Sequence, residues 1–237
     1  MSKGFLTAEW RRLAIANYAV DPDLLRKYLP YKTELDLWNN TCYISLVGFM
    51  FVNTKLKGVK IPFHSDFQEV NLRFYVGYKH ESDWRRGVVF IKEFVPKLAL
   101  TWVANRIYQE NYETIPMEHK WETNGNQLET EYRWKHGDWN SFHVQSDNEL
   151  QHIETGSEAE FIAEHYWGYT KCAAAKTSEY AVEHPQWKMY TVQHYSIKVD
   201  FLKCYGNEFA FLSNEKPASV FLAEGSDVQV KEKAILL

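Results

Sequence analysis

The sequence has little of the residue types that mark several specialised protein classes. It contains only three cysteines, Cys42, Cys172 and Cys204, and they lie far apart along the chain. An odd number of widely separated cysteines is not a disulfide framework and is typical of free thiols in a reducing compartment. No apolar stretch approaches the ~20 residues that span a bilayer, and the first residues lack the apolar core of a signal peptide. We therefore expect a cytoplasmic protein with no membrane partner.

Concentrated positive charge is also missing. The formal net charge is -4, no basic run stands out, and the Arg85-Arg86 pair is isolated. Without a basic stripe we expect no binding of nucleic acid. The chain also lacks a glycine-rich phosphate loop and a Gly-x-Ser-x-Gly elbow, which excludes the common NTPase, dinucleotide-binding and α/β-hydrolase patterns.

Metal-ligand patterns are sparse as well. His64 and Asp66 could present two ligands on one strand face, but no second pair of spaced histidines or cysteines accompanies them. His165 and His184 are scattered rather than grouped. We therefore predict no metal site and no cofactor.

Aromatic residues, in contrast, are abundant and evenly spread: the chain has 9 Trp, 15 Tyr and 14 Phe. Aromatic side chains favour pleated, half-buried surfaces, which indicates a β-rich core. Trp and Tyr can also line ligand pockets, because they combine apolar area with a polar tip. No linker rich in Gly, Pro or Ser divides the chain, so we predict one domain over residues 1–237.

Alternation of apolar and polar residues predicts many strands and few helices. Residues 68–76 alternate strictly, residues 87–94 form a second strong strand, and residues 120–144 have the pattern of an antiparallel meander. The longest of about three predicted helices covers residues 97–113. These elements together predict an α+β fold dominated by antiparallel strands.

The strand over residues 68–76 is the most informative segment. Its even-numbered positions are mostly apolar, and its opposite face carries Glu69, Asn71, Arg73 and Tyr75. These polar side chains could line a binding site, because an arginine binds carboxylate or phosphate groups and a buried glutamate can act as an acid or a base. They could equally form a solvent-exposed face with cross-strand salt bridges.

Glu69 and Arg73 are too far apart to form a direct pair within a regular strand. At ~3.3 Å per residue their Cα atoms lie roughly 13 Å apart. In a binding site they would occupy two ends of one groove, with Asn71 between them.

Glu93 is a further candidate for this site. Alternation within its strand places it on the same face as Val89 and Ile91, which is otherwise apolar. A carboxylate there either lies at the end of the strand that emerges into solvent or has a partner. Arg73 and Arg85 are candidate partners.

Several phrases along the chain occur together in one known family. In chain order they are residues 17–22, 43–51, 61–64 (Ile-Pro-Phe-His), 69–76 (Glu-Val-Asn-Leu-Arg-Phe-Tyr-Val), 86–91, 103–105, 183–185 (Glu-His-Pro) and 221–226. The combination spans nearly the whole chain and resembles the YqjF-like bacterial family, a domain of unknown function grouped with the acetoacetate decarboxylase-like superfamily. The resemblance implies a curved antiparallel sheet or partly closed barrel, with a few helices and a ligand cavity inside.

The resemblance does not extend to the catalytic motif of the decarboxylase. That enzyme forms a Schiff base on a lysine, with a second lysine beside it, in a Gly-Arg-Glu motif followed by Pro-Lys-Lys. Here the nearest segment is Pro-Lys-Leu at 96–98, so Lys97 lacks a neighbouring lysine and is a weak Schiff-base candidate. A rival alignment places residues 116–117, which include no lysine, at the position of the Pro-Lys-Lys motif. The arginine that the decarboxylase has near its first strand corresponds to Ala19 here. We therefore predict no acetoacetate decarboxylation.

Three kinds of function stay open on the sequence. The first is binding of a small, anionic molecule in an internal cavity without turnover. The second is a lyase-type enzyme acting on a small oxo acid, with Arg73 holding a carboxylate and Glu69 or Glu93 as acid or base. The third is a structural role, for which a homo-oligomer is a natural form.

Overall fold

The computed structural model describes residues 4–98, 101 and 110–237. The strands are β1 (Leu6–Val20), β2 (Thr33–Leu35), β3 (Cys42–Leu56), β4 (Val59–Lys60), β5 (Phe67–His80), β6 (Asp83–Val95), β7 (Tyr112–Thr114), β8 (Met117–Asn124), β9 (Gln127–His136), β10 (Asp138–His152), β11 (Trp167–Ala173), β12 (Lys176–Glu183), β13 (Lys188–Lys198), β14 (Ser219–Val230) and β15 (Ala234–Leu236). The helices are α1 (Pro22–Arg26), α2 (Glu158–Ala163), α3 (Phe201–Tyr205) and a 3-10 helix (Asn207–Ser213). Within the described ranges, no helix is long and apolar enough to cross a membrane.

All of these strands belong to one sheet, and part of that sheet closes on itself. The run β12-β11-β6-β5-β3-β1-β14 is joined at its ends by a further pairing between β12 and β14, so these seven strands form a closed ring. β6 pairs in parallel with both β11 and β7, which makes the sheet mixed. The predicted β-rich fold with few helices is confirmed.

The alternating strand lies in the middle of this ring as β5, between β3 and β6. Its apolar residues, from Val70 to Val76, are fully buried in a core shared with the β8–β10 side of the sheet and with α3. Strands β9 and β10 contribute Leu128, Tyr132, Trp134, Phe142 and Val144, α3 contributes Phe201, and the 3-10 helix contributes Phe209. Because successive side chains of a strand point to opposite faces, the polar residues of β5 point to the inside of the ring.

A β-bulge interrupts the pairing of β5 with β6. Leu72 lies opposite Lys92, but the next residue, Arg73, lies opposite Phe90, so Ile91 is the extra residue on β6. An extra residue in one strand shifts the alternation of every residue beyond it by one position.

This bulge reverses the predicted orientation of Glu93. Glu93 lies opposite Asn71 and shares the inner face with Val88, whereas Val89 and Ile91 belong to the core on the other face. The prediction that Glu93 shares a face with Val89 and Ile91 is therefore wrong, because strict alternation does not hold across the bulge.

The predicted helix over residues 97–113 lies mostly outside the described residues. Its predicted end is wrong, because Tyr112–Thr114 forms β7 beside β6. The predicted meander is confirmed, since β8, β9 and β10 pair consecutively and antiparallel.

Candidate ligand cavity

An internal cavity of about 180 Å³ lies within the closed ring, and all seven ring strands contribute to its lining, together with β7 and α2. A single water molecule needs roughly 10–15 Å³ of such space, counted as the volume open to the centre of a water-sized sphere. The space is therefore sufficient for a small organic molecule.

Much of the wall is aromatic. The Phe and Trp side chains that line it include Trp10, Phe49, Phe51, Phe67, Phe90, Trp167 and Trp187. Two pairs are stacked, with ring centroids 4.7 Å apart for Phe51 and Phe67 and 4.2 Å apart for His184 and Trp187. Such a wall favours a ligand with an apolar or aromatic portion.

The polar side of the cavity contains most of the residues that the sequence singled out. Glu69, Asn71, Arg73 and Glu93 all line it and all are buried. Tyr75 is not among the described lining residues.

Tyr75 and Lys97 lie elsewhere. Alternation and the cavity implied by the family resemblance predict Tyr75 near the rim of the cavity, but the residue is 1% exposed. Its hydroxyl is 2.7 Å from Ser45 Oγ, within the wall. Lys97 follows the end of β6, is half-buried, and is not among the described residues that line the cavity.

Glu69 accepts two hydrogen bonds at one end of the polar side. Asn71 Nδ2 donates to Glu69 Oε1 at 2.9 Å, and the Tyr112 hydroxyl donates to Glu69 Oε2 at 2.8 Å. Burial raises the pKa of Glu69 to about 7, although the two hydrogen bonds and the Arg73 charge act in the opposite direction. This carboxyl can therefore gain or lose a proton near neutral pH.

Glu110, just before β7, is a second such carboxyl. Thr170 Oγ1 and the Tyr180 hydroxyl donate to Glu110 Oε1 at 2.8 and 3.0 Å. Burial raises the pKa of Glu110 to about 7 as well, against the effect of these hydrogen bonds. No sequence pattern indicates Glu110, because its partners come from β11 and β12, which are distant in the chain.

Glu93 lies among these groups and is 1% exposed. Its Oε2 atom has no hydrogen-bond partner among the described residues. Burial raises the pKa of Glu93 well above its usual range, and the Glu110 and Glu69 carboxylates raise it further. Three carboxyls that repel one another when ionised titrate as a group, so the protonation of each depends on the charge of the other two.

Arg73 supplies the positive charge of the cavity. Its side chain is buried, with 7% of the residue exposed, and within the described part of the chain it has no ion-pair or hydrogen-bond partner. Its Cζ atom lies 5.9 Å from the centre of the Tyr75 ring. Its charge favours the ionised form of Glu69, but a buried guanidinium without a direct ion pair is costly to the fold.

His165, which follows α2, also lines the cavity. Its Nε2 atom lies 3.2 Å from Asp36 Oδ2, which also accepts a hydrogen bond from Arg86 Nε at 2.7 Å. Burial lowers the pKa of His165 to about 4, so the ring is neutral at neutral pH. Because the carboxylate can only accept, Nε2 carries the proton, and Nδ1 is left as an acceptor.

Two chemical limits follow from the lining. No group of three or more His, Cys, Asp or Glu side chains in the described ranges is arranged to hold a metal ion. The described lining residues include no lysine. What they do offer is one guanidinium, three proton-exchanging carboxyls and an aromatic wall.

The fold is similar to that of acetoacetate decarboxylase. The acetoacetate decarboxylase from Legionella pneumophila aligns with a TM-score of 0.66 and 15% identity, over 98% of this chain and 87% of that one. The enduracididine biosynthesis enzyme MppR, in complex with pyruvate, aligns with a TM-score of 0.66 and 12% identity, over 98% and 90%. An acetoacetate decarboxylase-like enzyme from Sphingomonas wittichii RW1 aligns with a TM-score of 0.61 and 10% identity, over 100% of this chain and 95% of that one. At these identities the common feature is the fold.

The sequence profile of the DUF2071 family, described as an uncharacterized conserved protein, matches residues 7–227. The chain belongs to this family. It is also 38% identical over 71 residues to the uncharacterized protein YqjF of Bacillus subtilis (strain 168), a match that covers 30% of this chain and 29% of that protein. The chain thus matches less than a third of YqjF's length. The family resemblance inferred from the sequence is confirmed.

Proposed function

We propose that this protein binds a small organic carboxylate in the internal cavity and does not act through a Schiff base. The observation that carries the proposal is the buried Arg73 guanidinium, which lines the cavity, has no described carboxylate within salt-bridge distance and has an Nε atom without a hydrogen-bond partner among the described residues. Buried charges in proteins are normally paired. A ligand carboxylate would supply the missing partner through two parallel hydrogen bonds.

The position of Arg73 suits this role. It lies on β5, which is paired on both sides by β3 and β6 and packed on its other face against the main core. A side chain on such a rigid strand is held in place before the ligand arrives, which lowers the entropic cost of binding.

The remaining lining restricts the rest of the ligand. The aromatic wall would contact its apolar part, while the Glu69, Glu93 and Glu110 carboxyls would exchange hydrogen bonds with its polar groups. The half-buried Lys97 lies outside the described lining and has the exposed Leu98 beside it rather than a second lysine. An amine nucleophile needs a lowered pKa, and no neighbouring cation in the sequence supplies one.

One observation favours a second candidate, a lyase-type enzyme acting on a small oxo acid. Burial places the pKa of both Glu69 and Glu110 at about 7, which suits general acid–base catalysis at neutral pH. Arg73 would then hold the carboxylate of the substrate. Conversion of a 2-oxo acid, followed by NMR, with loss of the reaction in Glu69→Gln, would favour this candidate; binding without conversion would favour the first.

Isothermal titration calorimetry with a panel of small carboxylates, including pyruvate and phenylpyruvate, tests the carboxylate site. The matching neutral amides of the two oxo acids serve as ligand controls. We expect Arg73→Gln to weaken carboxylate binding by at least about tenfold, the effect of losing a charged hydrogen bond. Arg26→Gln is the matched control, because the Arg26 side chain is 66% exposed and far from the cavity lining.

Two results would contradict the proposal. One is that no carboxylate of the panel binds, and the other is that the amides bind as tightly as the acids. If Arg73→Gln does not fold, the comparison of acid and amide on the wild-type protein still decides.

A further inference from the structure

We infer that the cavity selects a small zwitterion, a molecule that carries a cationic nitrogen group in addition to its carboxylate, as an amino acid does. This inference rests on the proposed carboxylate site at Arg73. It adds a second recognition point, formed by Asn71 and Glu93 together with the neighbouring carboxyls.

Six buried polar atoms of the cavity-lining residues have no hydrogen-bond partner among the described residues: Trp10 Nε1, Thr54 Oγ1, Asn71 Oδ1, Arg73 Nε, Glu93 Oε2 and His165 Nδ1. Two of them are neighbours on β5 and β6, namely the acceptor Asn71 Oδ1 and Glu93 Oε2, which is an acceptor when the carboxyl is ionised; each belongs to a residue that is 1% exposed. Arg73 Nε is a donor that likewise has no hydrogen-bond partner among the described residues. The neighbouring acceptors of Asn71 and Glu93 form one recognition point, and the Arg73 donor on the same face of β5 forms another.

These two points are close enough for one small molecule. Asn71 and Glu93 are direct neighbours across the β5–β6 pair, which places their Cα atoms about 5 Å apart. Arg73 lies two positions further along the same face of β5, roughly 7 Å from Asn71. A ligand carboxylate at Arg73 leaves its other end beside the two acceptors.

Charge favours a cation at the acceptor end. The ionisable groups facing Glu93 are Glu69 from β5, Glu110 and Tyr112 from the β7 segment, and Tyr180 from β12. Three carboxyls thus face a single guanidinium within the described lining.

A protonated amine fits this environment better than a neutral hydroxyl. An ammonium group offers three N–H donors, so it can satisfy both free acceptors at once, and its hydrogen bonds to carboxylates are the stronger, charge-assisted kind. A hydroxyl offers one donor and leaves one acceptor unsatisfied. The ammonium also offsets the repulsion among the carboxyls.

Binding of such a cation has a measurable consequence for protons. Burial raises the pKa of all three carboxyls, so each keeps its proton to a higher pH than a free glutamate does. A cation placed beside them favours their ionised form. Binding of a zwitterion should therefore release protons to the buffer, and binding of the matching simple acid should release fewer.

The test compares amino acids with the same molecules lacking the amine. The probes are glycine, β-alanine, 4-aminobutyrate and phenylalanine, set against acetate, propionate, butyrate and 3-phenylpropionate, in calorimetry with two buffers of different ionisation enthalpy. We expect at least one amino acid to bind about tenfold or more tightly than its counterpart, with release of protons. In Glu93→Gln the ratio of the two affinities should fall towards one, while Glu149→Gln, an exposed glutamate on β10, should keep the wild-type ratio.

The outcomes separate this inference from the proposal beneath it. If the simple acids bind and no amino acid binds more tightly, the zwitterion inference is overturned and the carboxylate site stands. If neither series binds, the carboxylate site fails and the inference fails with it. If Glu93→Gln does not fold, the affinity ratio and the proton release of the wild-type protein decide.

Discussion

Asn71 and Glu93 lie directly opposite each other on the antiparallel β5–β6 pair, and both side chains line the cavity. The relationship depends on the bulge at Ile91, since regular alternation would turn Glu93 towards the apolar core that holds Val89. Bulges commonly re-aim side chains beside functional sites. Here the bulge adds a carboxyl to a wall that already contains an amide and a guanidinium.

The first prediction concerns the stability cost of Arg73. Replacing a buried cation that has no described partner with an apolar side chain of similar length should stabilise the fold, so Arg73→Met should raise the free energy of unfolding by about 1 kcal/mol or more. Arg86→Met is the contrasting variant, because Arg86 is paired with Asp36. Its loss should lower the free energy of unfolding by about 1–2 kcal/mol. Urea unfolding measures both, and a similar loss in the two variants would show that Arg73 is compensated.

The second prediction concerns pH. Burial raises the pKa of Glu69 from 4.5 to about 7, so between these values the folded state binds more protons than the unfolded state. Stability from this group is present at low pH and is lost as the pH rises through about 7. His165 acts in the opposite sense, because burial lowers its pKa from 6.5 to about 4. Its contribution is present above pH 6.5 and is lost as the pH falls towards 4.

The two groups can therefore be separated by mutation. Glu69→Gln should make the free energy of unfolding fall less steeply with rising pH, by up to about 1 kcal/mol per pH unit across the window from about 4.5 to 7. His165→Gln should make the fall steeper across the overlapping window. Urea titrations at several pH values measure both slopes. Equal slopes in wild-type protein and both variants would refute the assignment.

The third prediction concerns Gly225 on β14, which lies opposite Arg11 of β1. A Cβ atom there would approach the backbone oxygen of Trp10 to 1.9 Å, at a φ of +83°. Gly58 has a nearly identical φ of +82° but nothing within 4 Å of its Cβ position. We expect Gly225→Ala to lower the free energy of unfolding by about 2 kcal/mol more than Gly58→Ala, as measured by thermal or urea unfolding. A similar cost for both would mean that only the backbone conformation matters.

The fourth prediction concerns the absence of Schiff-base chemistry. Treatment with acetoacetate and borohydride should leave Lys97 unlabelled, and mass spectrometry of the digested protein measures this directly. The physical reason is that Lys97 lies outside the described cavity lining and has Leu98 beside it, where the decarboxylase motif has a second lysine. Labelling of Lys97 that Lys97→Ala abolishes would restore Schiff-base decarboxylation as a function of this protein.

The sequence predicted those parts of the site that depend on local alternation. Because β5 alternates strictly, Glu69, Asn71 and Arg73 are assigned to one face by the periodicity of the residues alone. Alternation does not tell whether that face meets solvent. That depends on the β8–β10 side covering the opposite face and on the β12–β14 pairing that closes the ring, and both join segments that are distant in the chain.

The parts that were missed depend on contacts between such distant segments. Glu110 lies with the carboxyls of Glu69 and Glu93 because Tyr180 and Thr170 donate hydrogen bonds to it. No pattern around residue 110 indicates either partner. Glu93 was assigned to the wrong face because a bulge leaves no clear signal in the sequence. Local periodicity thus predicts which residues share a strand face, while the composition of a cavity is set by the tertiary pairing.

The most direct measurement is a crystal structure of the protein with pyruvate bound. The account predicts that the pyruvate carboxylate lies in the cavity, with its oxygens about 3 Å from the Arg73 guanidinium nitrogens. Pyruvate bound outside the cavity, or inside it with the carboxylate directed away from Arg73, would contradict the account.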